Sequence, residues 1–193
     1  NESSGKQGYE IALALDRLGI KTTLIIGPSN LTTQKNIKTK KIVTAHELLI
    51  ETKKSLPVDV AVCTAAVSDF KPIKQNKSKM KKEEKILKSI QIEKNKDIVE
   101  YLSKNNKHRP KIVVGFSAET EDLHKNSISK MQNKNCDLIV ANDVSKKDTG
   151  FNSDYNRVSI IDNSGKIQLI KKNKKSFVAA KIAEIILDKL LIN

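Results

Sequence analysis

Apolar residues in this 193-residue chain fall into short runs that alternate with stretches of helical periodicity. Three runs rich in small or β-branched residues lie at 58–62, 111–116 and 137–141. Such runs are typical of strands that are buried on both faces of a parallel sheet. Between them, spacings such as Ile11, Leu15 and Leu18 place apolar side chains on one face of a helix. The alternation of strands and helices predicts an α/β fold.

Further strands and helices follow from the same patterns and from turn signals. Strands are predicted at 21–26, at 41–43 and, with a weaker pattern, at 86–92. A hairpin of strands 157–161 and 166–170 surrounds the turn Asn163-Ser164-Gly165. Helices are predicted at 9–18, 44–52, 97–102, 121–135 and 176–191. For the first helix, Ser3 or Ser4 is the expected cap, and for the second, Thr44 with Glu47 forms a capping box.

Small or polar residues follow the three central strands directly. Because the carboxyl ends of parallel strands share one edge, we expect Ala65, Ala66, Asp69, Phe116 and Asn142 to surround a single crevice. An ordinary strand followed by an ordinary loop would give the same local pattern. The sequence shows no Ser-His-Asp set, metal cluster or redox dyad. Backbone amides, helix starts, an amide side chain and lysines suit the stabilisation of phosphates, as in phosphoryl or nucleotidyl transfer.

Lysine dominates the charge of the chain, and 71–88 is especially rich in it. This segment is either a solvated loop or a cationic flap that closes over an anionic ligand. The net charge of +14 suggests a nucleic-acid-binding module. However, the chain has only three arginines, few aromatics and a general enrichment in Lys, Asn and Ile. This composition argues against nucleic acid, because base readers favour arginine and single-strand binders need aromatics.

Cysteine usage and hydropathy bear on the compartment. Cys63 and Cys136 lie in or beside apolar runs, so we expect reduced core thiols in a cytoplasmic protein. No apolar run approaches the roughly 20 residues of a membrane span. We therefore expect neither a membrane segment nor a metal site built by the protein.

Several segments together resemble phosphopantothenoylcysteine synthetase, the synthetase half of a bacterial bifunctional coenzyme A enzyme whose decarboxylase half is absent here. They occur in the order of that family and span nearly the whole chain. They are 1–8 (NESSGKQG), 65–72 (AAVSDFKP), 79–82 (KMKK), 115–120 (GFSAET), 138–144 (LIVANDV) and 150–151 (GF). The resemblance implies a Rossmann-like three-layer α/β/α fold, with a mainly parallel sheet and a C-terminal β-hairpin plus helix.

The same resemblance implies a CTP-dependent ligase. 4′-Phosphopantothenate would attack the α-phosphate of CTP and form an acyl-cytidylate, and the amine of L-cysteine would then displace CMP. Mg²⁺ would accompany the triphosphate. A homodimer is also implied, with contacts from 142–154 and from the hairpin.

Individual residues match motif positions of that family. Asn1 matches a catalytic asparagine that orients the acyl-cytidylate, and Lys79 matches the first lysine of a mobile motif that neutralises phosphate charge. Asn1, Ala66 and Asn142 would bind phosphopantothenate. The CTP-binding positions would be Cys63, Thr64, Ala65, Asp69, Lys79, Asp97, Ile98, Phe116, Lys130 and Lys134. Because this site would be formed by backbone groups, side-chain identity at Cys63 and Thr64 is expected to matter little.

Two departures from the family leave alternatives open. Gln7 replaces the usual methionine, which predicts a surface or dimer-contact change. The first strand and glycine-rich turn of the family precede the position of Asn1, so we expect the single domain 1–193 to be missing them. An inactive remnant that keeps the fold, and a basic nucleic-acid-binding module, are the competing hypotheses. A nicotinamide dehydrogenase is disfavoured because the sequence contains no Gly-x-Gly-x-x-Gly.

Overall fold

A computed structural model describes residues 3–32, 34–74, 90–104, 107–145 and 153–192. Its helices are α1 (Lys6–Arg17), α2 (Ala45–Ser55), α3 (Ile98–Ser103), α4 (Leu123–Lys134) and α5 (Lys175–Ile192). Its strands are β1 (Thr23–Ile26), β2 (Lys38–Lys41), β3 (Val60–Val62), β4 (Phe70–Pro72), β5 (Ile92–Lys94), β6 (Ile112–Glu119), β7 (Leu138–Asp143), β8 (Tyr155–Asp162) and β9 (Ile167–Lys174).

The central sheet has five strands in the order β3-β6-β7-β8-β9. Strands β3, β6 and β7 are parallel, whereas β8 and β9 form an antiparallel hairpin that extends the sheet from β7. Helices α1 and α5 pack on one face, and α2, α3 and α4 pack on the other. The predicted three-layer architecture with a C-terminal hairpin and helix is therefore confirmed.

Helix α5 provides much of the core on the first face. Val178, Ile182 and Ile186 are almost fully buried, and they share a cluster with Val140 and Val158 of the sheet. Burial of each such side chain contributes about 1.5–3 kcal/mol. Since both α1 and α5 are fixed by this cluster, their first turns are held at the carboxyl edge of the sheet.

A second, two-stranded sheet consists of β1 and β2 in parallel register. The strand predicted at 41–43 is wrong by three residues. Ile37, just before β2, is buried, whereas Val43 is 76% exposed. The chain therefore uses Ile37 to anchor a strand that consists mostly of lysine, and simple hydrophobicity selects the wrong residues.

Strand β3 is only half-buried, in contrast to the predicted burial on both faces. It pairs with β6 along one edge. Its other edge borders a cavity of about 1670 Å³, and β1 lines the opposite side of that cavity. In the described part of the chain, no strand pairing joins the two sheets across this gap.

Strands β4 and β5 form a short antiparallel pair beside the crevice. The lysine-rich segment between them, residues 75–89, lies outside the described residues. Of the strand predicted at 86–92, Ile92 begins β5. Because β4 and β5 flank the lysine-rich segment and pair with each other, the two flanks of that segment lie side by side next to the crevice.

Candidate functional site

The cavity extends along the free edge of β3 and reaches the carboxyl ends of β3, β6 and β7, where the sequence predicted a crevice. Eleven predicted site residues line it: Cys63, Thr64, Ala65, Ala66, Asp69, Asp97, Ile98, Phe116, Lys130, Lys134 and Asn142. Asn1 and Lys79 lie outside the described residues, so their roles stay predictions. The common edge follows from the parallel register of the three strands.

The first turn of α1 reaches into this cavity. Gly5 occupies the N-cap position with φ 70°, and as a glycine it provides no side-chain cap. The predicted serine cap is therefore wrong, because a left-handed backbone at this position directs the chain differently from a serine cap. Ser3 and Ser4 instead accept bonds from the N–H groups of Gly5 and Lys6, at 3.5 and 3.4 Å.

Gly8, in the same turn, faces the end of β3. A Cβ atom added to Gly8 would lie 2.5 Å from Thr64 Oγ1. The side chain of Thr64 therefore fixes how closely α1 approaches the sheet. The contact gives the Thr64 side chain a packing role, whereas the expectation that its identity matters little for ligand binding stays a prediction.

The loop after β3 offers mainly backbone groups to a ligand. Ala65 and Ala66 are exposed to the cavity. Asn95 holds the next part of the loop, since its side chain donates to Ser68 O and its backbone N–H donates to Asp69 O, both at 2.8 Å. A fixed backbone flanked by alanines allows a flat group to approach closely.

Asp97 and Lys134 form an ion pair at the α3/α4 end of the cavity. Asp97 is the N-cap of α3, and its Oδ1 accepts a hydrogen bond of 2.9 Å from the N–H of Glu100. Burial acts to raise the pKa of Asp97, but the bonds from Glu100 and Lys134 outweigh it and leave the pKa below its ordinary value. Asp97 is thus charged at neutral pH, and it fixes one of the two predicted nucleotide-site lysines.

Cys63 occupies the inner end of the same region. Removal of its thiol from water raises the pKa to about 12, and the negative charge of Asp97 adds to the effect. The thiol is therefore protonated and unreactive at neutral pH. Its role is to form the cavity wall, in agreement with the predicted reduced core thiol.

The polar cavity residues that were not predicted as site residues include Lys6, Gln7, Asn156 and Lys175. The interpretation of Gln7 as a surface change is wrong, because its side chain is half-buried and bonds to Asn156 and to the Lys175 carbonyl, whereas a dimer contact stays a prediction. Asn156 alternates with Val158 and Ile160 along β8. Strand periodicity would therefore have placed it on the inward face if the predicted strand had begun one residue earlier. Lys175 is 3% exposed, and nothing in the local sequence indicates that this lysine is buried.

Metal binding by protein side chains finds no support in the described ranges. They contain no group of three or more His, Cys, Asp or Glu residues able to hold a metal ion. None of the helices in these ranges combines the length and apolar character that crossing a bilayer requires.

Comparison with protein families decides the classification. The model of the "DNA/pantothenate metabolism flavoprotein C-terminal domain" (DFP) matches residues 1–190. The chain belongs to this family. DFP membership accounts for the order of the motifs along the chain and for the crevice that they form.

Relatives and solved structures support the DFP assignment. The coenzyme A biosynthesis bifunctional protein CoaBC of Haemophilus influenzae is 36% identical over 187 residues, which cover 96% of this chain and 46% of that protein. The CoaBC of Escherichia coli K12 is 38% identical over 165 residues, covering 83% of this chain and 40% of that protein. The chain therefore spans about half the length of the curated relatives it matches.

The fold is shared with solved structures. A crystal structure of the C-terminal domain of CoaBC superposes with a TM-score of 0.81 at 28% identity, covering 99% of this chain and 85% of that one. A structure of a Cab2 mutant in complex with phosphopantothenate-cysteine has a TM-score of 0.72 at 15% identity, covering 100% and 80%. At that identity the second likeness shows the fold alone.

Proposed function

We propose that the cavity joins 4′-phosphopantothenate to L-cysteine through an amide bond, in coenzyme A biosynthesis. The observation that carries the proposal is the convergence on one cavity of the described parts of the motifs, residues 3–8, 65–70, 115–118 and Asn142, in a chain that the DFP model matches over 1–190. The CoaBC relatives, which are coenzyme A biosynthesis proteins, and the Cab2 mutant complex with phosphopantothenate-cysteine are consistent with this chemistry.

CTP is the proposed activating nucleotide. The carboxylate of phosphopantothenate attacks the α-phosphate, which releases pyrophosphate and leaves an acyl-cytidylate. The neutral amine of cysteine then attacks the acyl carbon, CMP leaves with the bonding electron pair, and the amine loses a proton. Splitting the reaction in this way replaces a poor leaving group by a good one.

Different parts of the cavity support the two steps. Lys130 and Lys134 supply positive charge beside the backbone-lined loop at Ala65, where the cytidine nucleotide is proposed to bind. Such charges stabilise a pentavalent phosphorus transition state. Mg²⁺ would arrive with the triphosphate and keep much of its water, since the described residues provide no cluster for it.

Asn1 and Lys79 have proposed roles that depend on family matching alone. The Asn1 amide would hold the acyl-cytidylate for attack, and Lys79 would neutralise phosphate charge. Losing one charge-assisted contact costs about 1.5–3 kcal/mol, which is roughly 10- to 150-fold in rate. Lys79→Gln should slow pyrophosphate release by that amount, whereas the control Lys88→Gln should not; equal losses would contradict a specific role for Lys79.

Product formation tests the whole proposal. The protein would be supplied with 4′-phosphopantothenate, L-cysteine and Mg²⁺, with either CTP or ATP, and the amide product would be followed by mass spectrometry. Product with CTP, and much less with ATP, is expected. Equal product with both would reject the choice of CTP, and no product with either would support an inactive remnant.

The gap between β1 and β3 bears on the extent of the domain. Each of the two strands has one edge facing the cavity. Apolar residues of α1 and α3, such as Ile11, Leu15 and Leu102, line the gap between the strands from its two sides. Gly5 lies beside Ile26 at the end of β1, and Gly8 lies beside Thr64 after β3, so α1 begins at the carboxyl end of the gap. We propose that an apolar strand, joined to α1 through a turn, completes the sheet there, in the βα order that parallel sheets require.

A homodimer is the proposed assembly. Tyr155, Ile167 and Leu169 are 41%, 42% and 54% exposed. The register pairs Ile167 with Ile161 and Leu169 with Ser159, so strand alternation places all three apolar side chains on one face of the hairpin. An exposed apolar face on the edge hairpin fits a second copy of the chain.

A further inference from the structure

Asn95 connects two walls of the cavity that are distant from each other in the chain. It lies between β5 and α3, two residues before Asp97, the N-cap of α3. Its hydrogen-bond partners Ser68 and Asp69 belong to the loop between β3 and β4, and Ser68 is 27 positions away. All four residues line the cavity, although Asn95 was not among the predicted site residues.

Two hydrogen bonds from Asn95 hold consecutive carbonyl groups of that loop. Its Nδ2 donates to the oxygen of Ser68, and its backbone N–H donates to the oxygen of Asp69, both at 2.8 Å. The register pairs Phe70 with Lys94, so the backbone bond extends the β4–β5 ladder by one step, and the side-chain bond reaches one residue further. Because both adjacent carbonyl groups are held, the peptide between them has little freedom to rotate.

The end of this loop has little other support among the described residues. Ala65, Ala66, Ser68 and Asp69 are exposed, so apolar packing contributes little to their order. Ser68 Oγ donates to the oxygen of Phe70 at 2.8 Å, but this bond joins two residues of the same short turn. The bonds from Asn95 are therefore the ones that attach the end of the loop to the segment leading into α3.

The segment that carries Asn95 is itself held at its other end. Asp97 accepts the N–H of Glu100 and forms the ion pair with Lys134 of α4. Only Lys96 separates Asn95 from Asp97 in the chain. Asn95 thus determines how the loop after β3 lies relative to the Asp97–Lys134 pair.

We propose that Asn95 is a positioning residue for the nucleotide. It holds the backbone of the loop after β3 against the Asp97–Lys134 pair before any ligand arrives, and it acts through these groups. Ordering one wall of a site in advance raises affinity, because binding then costs less conformational entropy. The inference rests on the proposed function, which places the cytidine nucleotide beside Ala65 and Lys134.

A role confined to fold stability would give a different pattern of effects. The side-chain bond of Asn95 is exposed to solvent, so its net contribution to folding is modest. A positioning role predicts weaker CTP binding at temperatures where the protein is fully folded. L-cysteine attacks the acyl carbon after the nucleotide has reacted, so its KM serves as an internal reference.

Asn95→Ala removes the side-chain donor and keeps the backbone N–H. Its matched control is Asn126→Ala, because Asn126 Nδ2 also donates to a backbone oxygen in an exposed bond, to Glu121 at 3.1 Å, and lies outside the cavity. Calorimetry would give the dissociation constant of CTP with Mg²⁺, and amide formation would give the KM for L-cysteine. Asn95→Ala should raise the first by about threefold to tenfold and change the second by less than about twofold, whereas Asn126→Ala should leave both within about twofold.

An unchanged dissociation constant for CTP in Asn95→Ala would show that the proposal is wrong. Equal weakening for CTP and L-cysteine would indicate a purely structural role and would overturn it too. Asn95→Ser provides a second variant if Asn95→Ala fails to fold, because its shorter side chain withdraws the donor from Ser68 O. A wild type that binds no CTP would reject the proposed nucleotide and the positioning role with it, whereas a wild type that binds CTP as tightly as Asn95→Ala rejects only the positioning role.

Discussion

Gly8 and Thr64 form a complementary pair that sets the distance between α1 and β3. The space beside Gly8 is filled by Thr64 Oγ1, with Thr64 Cβ and Cγ2 at 3.6 and 3.8 Å from the position of an added Cβ. Relief of the clash would require the Thr64 side chain to rotate so that its Cβ hydrogen, rather than Oγ1 or Cγ2, faces Gly8. The pair therefore fixes the first turn of α1 at the edge of the cavity.

Gly8→Ala should destabilise the protein, since overpacking costs about 1–3 kcal/mol and exceeds the roughly 1 kcal/mol that alanine contributes to a helix. Thr64→Ala in the same chain should restore the stability. Gly27→Ala is the control, because nothing lies within 4 Å of its added Cβ. Thermal unfolding of the single and double variants checks the pair, and a double variant no more stable than Gly8→Ala would contradict it.

Asp97→Asn tests the ion pair at the α3/α4 end. Asparagine still caps α3, so the variant removes the charge and little else. At neutral pH it should cost about 1 kcal/mol. Because the folded-state pKa of Asp97 is lowered, its stabilising effect is present above the ordinary aspartate pKa and is lost as the pH falls through the lowered value.

The difference in melting temperature between wild type and Asp97→Asn should therefore shrink on acidification from neutral pH to about pH 3. Glu121→Gln, at an exposed position, is the comparison for general acid effects. A difference that stays constant with pH would show that the carboxylate of Asp97 is not stabilised by its partners.

Leu169→Lys tests the proposed dimer surface. Leu169 lies in the middle of the exposed apolar face of β9, and a buried lysine without a partner is strongly unfavourable. Sedimentation velocity should show a shift from dimer to monomer. Lys171→Glu, on the same strand, is a control for altered charge. A wild type that is monomeric, or a variant that stays dimeric, would contradict the assignment of this face.

A designed strand tests the gap between β1 and β3. Fusing five apolar β-branched residues and a glycine-rich turn ahead of α1 should raise the melting temperature, because burial at about 1.5–3 kcal/mol per side chain exceeds the cost of about 1–2 kcal/mol for ordering each residue. A glycine-serine segment of the same length is the control. Equal melting temperatures for both fusions would contradict a strand-shaped gap.

The sequence predicted the edge of the sheet where the site lies more reliably than it predicted individual contacts. Runs such as 137–141 identify parallel strands, and parallel strands bring their carboxyl ends together whatever the details of packing. Phe116 and Asn142 could therefore be placed in one crevice without a structure.

Other features depended on partners that are distant in the chain. Gln7 was predicted to be a surface or dimer-contact change because it replaces the usual methionine, yet Asn156, 149 positions away, bonds to it. Likewise, β2 depends on Ile37, whose burial is a tertiary property. Local periodicity carries no information about such contacts.

The fate of labelled oxygen tests the central claim most directly. 4′-Phosphopantothenate with ¹⁸O in its carboxylate would be converted with CTP, Mg²⁺ and L-cysteine, and the products would be weighed by mass spectrometry. An acyl-cytidylate predicts one ¹⁸O in the phosphate of CMP and none in pyrophosphate, because the carboxylate oxygen stays with the leaving nucleotide. Release of inorganic phosphate that carries the label, together with CDP, would contradict the account.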